Sequence, residues 1–144
     1  MNLFGLMETS GSAMQAERIR AEVVAANMAN AETTRTPEGG PYRRKDAVFT
    51  SSEVSSPFAS IFNGVVQGPS GVAVSDIITD QRDPEMRYLP GHPDANAEGY
   101  VAFPRMNPAE DMVDLMGAAR GYEANVAAIS AVKDMIERSL DLLR

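Results

Sequence analysis

The chain has no cysteine, no tryptophan and a single histidine, and aromatic residues make up only 6% of it. Without cysteine there are no disulfides, thiolate metal sites or thiol nucleophiles. The absence leaves the compartment open, because a cysteine-free chain tolerates reducing and oxidising surroundings alike. No stretch approaches the roughly 20 apolar residues that a membrane span needs. Basic charge is also short: 13 Lys and Arg stand against 20 Asp and Glu, a net charge of −7. Affinity for nucleic acid rests on Lys and Arg neutralising phosphates, so this balance argues against a nucleic-acid partner. Met1 and Asn2 supply no basic side chain, and the apolar run Leu3–Met7 stops at Glu8. That is not a Sec-type signal peptide. On these grounds alone, the 144 residues read as one soluble cytoplasmic domain.

What is present is unevenly distributed. All nine prolines fall between Pro37 and Pro108, so two proline-free ends flank a proline-rich middle. Net charge is +1 over residues 1–45, −5 over 46–106 and −3 over 107–144. The expected parts are an N-terminal helix within 1–34, an irregular and β-containing middle over 35–106, and a C-terminal helix over 107–144. The expected fold is therefore mainly α with a small β-containing middle region, the two terminal helices pairing as a coiled coil.

Asn107-Pro108-Ala109-Glu110 predicts the start of the C-terminal helix. Asn is a good N-cap, Pro suits the first helical position, and Glu110 can complete a capping box. Asp111 and Asp114 suit the positive end of the helix dipole. Alternating three- and four-residue steps then select Met112, Leu115, Ala119, Tyr122, Val126, Ile129, Lys133, Ile136, Leu140 and Leu143. All but Lys133 are apolar. That is a heptad seam, the pattern of one helix packed lengthwise on another. A helix running to Arg144 would extend about 55 Å, and would overhang a compact domain of radius of gyration about 15 Å. Its seam needs a partner longer than the N-terminal helix, and a neighbouring subunit is the natural supplier.

Between Ser12 and Asn30 there is no Gly or Pro, and Ser12-x-x-Gln15 predicts a cap. Met14, Ile19, Val23, Val24 and Met28 lie at helical spacing, with Glu17, Arg18, Arg20 and Glu22 free to face outward. Leu3, Leu6 and Met7 can extend the helix upstream through Gly11. Asn27 and Asn30 share one face. Two readings stand side by side: capping and turn entry before Thr33-Thr34, or fixed hydrogen bonds at a helix or subunit contact. In the middle, Gly71–Ile78 and Tyr100–Phe103 predict short strands, Asp83-Pro84 and Leu89–Asp94 predict turns, and residues 50–70 predict a loop.

Catalytic and metal motifs are weak. His92 lies between Gly91 and Pro93, which makes it an exposed turn residue before it makes it a base. No HExxH, second histidine or GxSxG elbow accompanies it. The glycines match neither a P-loop nor a dinucleotide fingerprint. Arg43-Arg44-Lys45 fits a local contact to acidic neighbours. No enzyme activity and no cofactor is expected.

Ala25-Ala-Asn27-Met-Ala-Asn30-Ala-Glu-Thr33-Thr34 resembles the N-terminal signature of bacterial flagellar rod, hook and hook-associated proteins. Arg35-Thr-Pro37-Glu-Gly-Gly40-Pro-Tyr42-Arg-Arg-Lys45, Tyr88-Leu-Pro-Gly-His92-Pro-Asp94-Ala-Asn96-Ala-Glu-Gly99-Tyr-Val101 and Asn107-Pro-Ala-Glu-Asp-Met112-Val-Asp-Leu-Met116, with Tyr122 and Asn125, narrow the resemblance to the proximal rod. It covers nearly the whole chain and is loose across about residues 50–70. Glu17 stands where the family more often shows Gln, on what reads as a polar face.

The resemblance implies a structural subunit of the basal-body rod, exported without a cleaved signal peptide and located in the rod that spans the periplasm. The implied partners are other copies of the chain, other rod proteins and, in transit, the flagellar type III export apparatus. It implies that Asn27 and Asn30 belong to the packed helical core; by their spacing, Ile19, Val23, Met112, Leu115, Ala119, Tyr122, Val126, Ile129, Ile136, Leu140 and Leu143 are expected at helix packing and subunit contacts. It also implies that His92 and Asp94 are structural turn residues. The competing classes are another axial protein, a cytoplasmic coiled-coil adaptor or export chaperone, and an enzyme working through His92. The isolated subunit is expected to have frayed helix ends and to gain helix on assembly.

Overall fold

The computed structural model describes residues 3–53 and 70–142. Helix α1 spans Leu3–Ala29. Strand β1 covers Lys45–Glu53 and β2 covers Ser70–Thr79. Strands β3, Glu85–Tyr88, and β4, Tyr100–Phe103, come next. The second helix, α2, is Pro108–Asp141. The protein is mainly helical with a small antiparallel β region.

The C-terminal helix begins as its sequence predicts. The Asn107 side chain accepts from the Ala109 N–H, and Pro108 occupies the first turn. The reciprocal half of a capping box is absent: the carbonyl of Asn107 takes the Asp111 N–H, and Glu110 does not reach back. The N-terminal helix differs more. It runs unbroken through Gly11, and Ser12 is an interior residue, not a cap. The Ser12 hydroxyl donates to the Thr9 carbonyl and accepts the Val72 N–H at 3.0 Å. It therefore ties α1 to β2.

Two strands are present where the sequence did not predict them. β1 pairs antiparallel with β2 from Lys45↔Thr79 to Glu53↔Ser70, with a register shift between Val48 and Phe49. The expected loop over 50–70 thus gives up residues 50–53 to β1. The remainder of that loop expectation lies outside the described residues, apart from Ser70, which begins β2. β3 pairs with β4 from Glu85↔Phe103 to Tyr88↔Tyr100. The turn between them closes over Gly99, whose φ of 84° is left-handed. A Cβ there would stand 2.9 Å from the Tyr88 ring, so both backbone and space require glycine.

The helices run antiparallel: Arg20 reaches Asp114, and Glu17 lies over Gly121. The β1–β2 ribbon lies along an adjoining face of α1, held at Ser12 and, further along, at Asn27. The core is thin. Among the described residues its buried apolar members are Ala16, Val24, Val101, Phe103, Ala118 and Val132.

The face of α2 turned toward α1 is not the predicted seam. Asp111, Ala118 and Val132 are buried and Asp114, Gly121 and Asn125 half-buried. Of the seam, Leu115, Ile129 and Ile136 are half-buried, while Met112, Ala119, Tyr122, Val126, Lys133 and Leu140 are exposed. Leu143 lies outside the described residues. The reason is geometric. Heptad steps average 3.5 residues per turn and a straight helix has 3.6, so the seam drifts by about 20° per heptad. It starts outward at Met112 and nears α1 only by Ile129 and Ile136. The reading of Glu17 and Arg20 as outward-facing is likewise corrected: both lie against α2. Arg18 and Glu22 do face outward, as an exposed i,i+4 pair.

Candidate functional site

Among the described residues, the most connected polar site sits where α1, the start of β1 and the start of α2 meet. Asn27 is fully buried. Its amide donates to the Lys45 carbonyl at 2.7 Å, and its oxygen accepts the Lys45 N–H at 3.0 Å. The side chain so treats Lys45 as a neighbouring strand would, satisfying both backbone groups at the first residue of β1. The same oxygen takes the Tyr42 hydroxyl at 3.0 Å. Burial, and then the negative charge of Asp111, raise the Tyr42 phenol above its ordinary range.

Asn30 does something else. Its amide donates to the Ala26 carbonyl and its oxygen accepts from Thr33. It closes the last turn of α1. The two asparagines on one helix face thus divide the two readings between them: Asn30 terminates the helix, and Asn27 makes fixed bonds inside the chain.

Beside Asn27 lies an ion network. Arg44 meets Asp46 at 2.9 Å, Asp111 at 3.0 Å and Asp114 at 3.4 Å. Arg20 joins from α1 through Asp114 at 3.2 Å. Burial works against the Arg44 charge, but the Asp111 hydrogen bond and the three carboxylates outweigh it and raise its pKa. Asp111 is wholly buried, so breaking this pair would leave a charge stranded inside the protein, as breaking a surface ion pair would not. Arg44 does find the acidic neighbours that the basic run predicts. Tyr42 belongs to the site although the sequence marked it only within the motif Arg35–Lys45, with no role of its own. Its signal was faint, an aromatic residue just after a Pro-Gly cluster.

His92 and Asp94 lie in the turn between β3 and β4. Asp94 accepts from Thr34 at 2.8 Å and faces Arg35 at 3.7 Å. His92 is half-buried, which corrects the exposed reading: its ring meets Phe103 edge-on, with centroids 6.3 Å apart. Its Nδ1 accepts the Asp94 N–H. Ile19 and Val23 are half-buried on α1. Among the described residues no group of three His, Asp or Glu could hold a metal ion, and no helix is long and apolar enough to cross a membrane.

The site is built of helix-to-strand clamps beside a long helix left half uncovered, an arrangement that suits a structural protein. Comparison with known proteins gives the class. Residues 7–35 match the family described as flagella basal body rod protein, and residues 97–142 match the flagellar basal body rod FlgEFG protein C-terminal family. The flagellar basal-body rod protein FlgC of Bacillus subtilis is 43% identical, over 99% of this chain and 99% of its own. FlgC of Borreliella burgdorferi is 36% identical over 100% of this chain and 99% of its own. FlgC of Escherichia coli O6:H1 is 37% identical over 99% and 98%. The chain belongs to the FlgC family of flagellar basal-body rod proteins, and it is a structural subunit of the basal-body rod.

Proposed function

We propose that this subunit polymerises through its terminal helices, which pair as a coiled coil and form the inner wall of the rod, and that it transmits torque from motor to hook without any catalytic role. The parts 1–34 and 107–144 build that wall, and 35–106 projects outward to neighbouring subunits. The partners are other copies of the chain and other rod proteins. Export proceeds through the flagellar type III apparatus, without a cleaved signal peptide.

One observation carries this reading. Met112, Met116, Tyr122, Val126 and Leu140 lie exposed along the outer face of α2, although each is apolar or aromatic. The register with α1 puts Leu3 near Lys133, and beyond it Ile136 is the one half-buried side chain among the described residues. A row of large apolar groups facing water marks an interaction surface. A contact between two different faces of successive copies does not close, and so builds a filament.

Met116→Asp and Val126→Asp test it. Both positions are exposed on α2, so the variants should keep the helical circular dichroism of the parent. Purified basal bodies should contain the parent chain and lack both variants, and motility should be lost. Variants that assemble and swim normally would remove the outer face of α2 from the contact.

A further inference from the structure

Despite the acidic balance of the chain, one hollow is basic. It is lined by Pro41, Arg43, Arg44, Asp80, Arg82 and Arg105, with Tyr42 and Pro84 beside them. Three separate segments meet there: the approach to β1, the exit from β2 and the link from β4 to α2. The Asp80 N–H donates to the Arg44 carbonyl at 2.8 Å, which fixes the two strand ends together. Two prolines stiffen the walls.

The four guanidiniums are not equally engaged. Asp46, Asp111 and Asp114 already hold Arg44. Arg82 grips the Asp80 carboxylate through two nitrogens. Those bonds hold the Asp80 carboxyl at about 2, so it is fully charged near neutrality. Arg43 donates only to the backbone carbonyl of Asp80. Arg105 makes no hydrogen bond or ion pair among the described residues, and acts on Asp80 and Glu85 only through space. Two guanidiniums therefore remain without a carboxylate of their own on one rigid surface. Glu85 is taken by Arg87.

Planar guanidinium groups bind carboxylates in fixed geometry. The chain as a whole carries −7, so a second copy has carboxylates in excess to offer two unpaired guanidiniums. We propose that the hollow around Arg43 and Arg105 is a docking surface for a carboxylate-bearing face of a second copy of the chain. The proposal rests on the rod reading and deepens it, by assigning one copy-to-copy contact to the middle region as well as to the helices. Complementary charge of this kind fixes orientation and rejects wrong partners more than it adds affinity.

The test uses the scarcity of lysine: the chain has only Lys45 and Lys133. Arg105→Lys keeps the charge and adds an amine that a carbodiimide joins to a touching carboxylate, the reagent taking up the water lost. Basal bodies are isolated from cells making the full-length variant as their only copy, and are treated and digested. The expected result is a dimer of the chain in which the introduced amine is bonded to an Asp or Glu of the second copy. In a separate strain, Arg43→Gln with Arg105→Gln should leave the circular dichroism of the purified subunit unchanged and give no such dimer band. An introduced amine joined only to its own chain, only to a different protein, or to nothing overturns the proposal while leaving the rod reading intact. Absence of the parent chain from basal bodies removes both.

Discussion

Asn27 is the side chain that fixes α1 to the start of β1. Its three hydrogen bonds, at 2.7 to 3.0 Å, join helix to strand across a span that contains Pro37, Gly39, Gly40 and Pro41. Removing it leaves the Lys45 N–H and carbonyl and the Tyr42 hydroxyl without this partner in a part-buried setting. Asn27→Ala should therefore cost about 2–4 kcal/mol, since each unmet buried group costs roughly 1–3 and each lost bond about 1. Urea unfolding followed by helical circular dichroism measures it, and a loss below about 1 kcal/mol, the worth of one ordinary hydrogen bond, would mean that the clamp is not closed in solution. Tyr42 supplies a second readout. Its phenol titrates above 10.0 because burial, and then Asp111, disfavour the phenolate. A group raised in the folded state gives its full stabilisation below the unfolded value and loses it as pH rises through the folded one. Stability should then fall on the alkaline side of 10.0. A tyrosinate absorbance titration should show an ionisation above 10.0 that is absent in Tyr42→Phe. The sequence showed that Asn27 and Asn30 were unusual, but not which bonds each would make. Asn30 finds its partners within four residues, whereas Asn27 finds its own at Lys45, beyond the Pro-Gly turn, where spacing carries no information.

At the level of elements, what was legible depended on whether an element is defined by its own residues. Both helices were readable, α2 from its cap and α1 from its breaker-free run. β2 and β4 were readable from branched and aromatic residues. β1 and β3 were not. Lys-Asp-Ala-Val-Phe-Thr-Ser-Ser-Glu has no clean alternation, and β3 is four residues long. Each is a strand because its neighbour offers a ladder, a property of pairing and not of sequence. The seam of α2 misled for a different reason, since heptad positions and buried positions part company along a straight helix. The two glycines of α2 give a direct test of its inner and outer faces. A Cβ at Gly117 would meet nothing within 4 Å, whereas one at Gly121 would come within 3.0 Å of the Glu17 carboxylate. Gly117→Ala should stabilise the isolated subunit by about 0.5–1 kcal/mol, the usual gain from alanine in a helix interior. Gly121→Ala should gain less or lose, because the Glu17 side chain must shift. Equal gains in thermal unfolding would show that Glu17 does not cover Gly121.

For the molecule as a whole, the decisive feature is the mismatch between helix lengths. α1 has 27 residues and α2 has 34, about 40 Å against about 51 Å at 1.5 Å per residue. With Glu17 opposite Gly121 and Arg20 opposite Asp114, the start of α1 falls near Lys133. In the last two turns of α2 only Ile136 is half-buried, and Leu140 and Leu142 are 60% and 87% exposed. A helical stretch of that length is marginal in water without tertiary contacts. In the isolated subunit, amide exchange should be fast over residues 135–142 and slow over 118–132, where Ala118 and Val132 pack on α1. Basal bodies should show the same C-terminal amides protected, because burying leucine and methionine side chains against neighbours supplies the missing contacts at about 1.5–3 kcal/mol each. Uniform slow exchange along α2 in the monomer would mean that the helix is rigid before assembly. The apolar overhang would then act as a preformed docking surface and not as a segment that orders when the rod grows. The charge of the chain bears on the same experiment. Copies of net charge −7 repel at long range, over a Debye length of about 10 Å at about 0.1 M salt. Contacts between them must therefore be made by local complementarity, at apolar helix faces and at surfaces where arginine is in excess. Raising the salt should leave protection of the overhang in the assembled state unchanged if its contacts are apolar, and should weaken it if they are ionic.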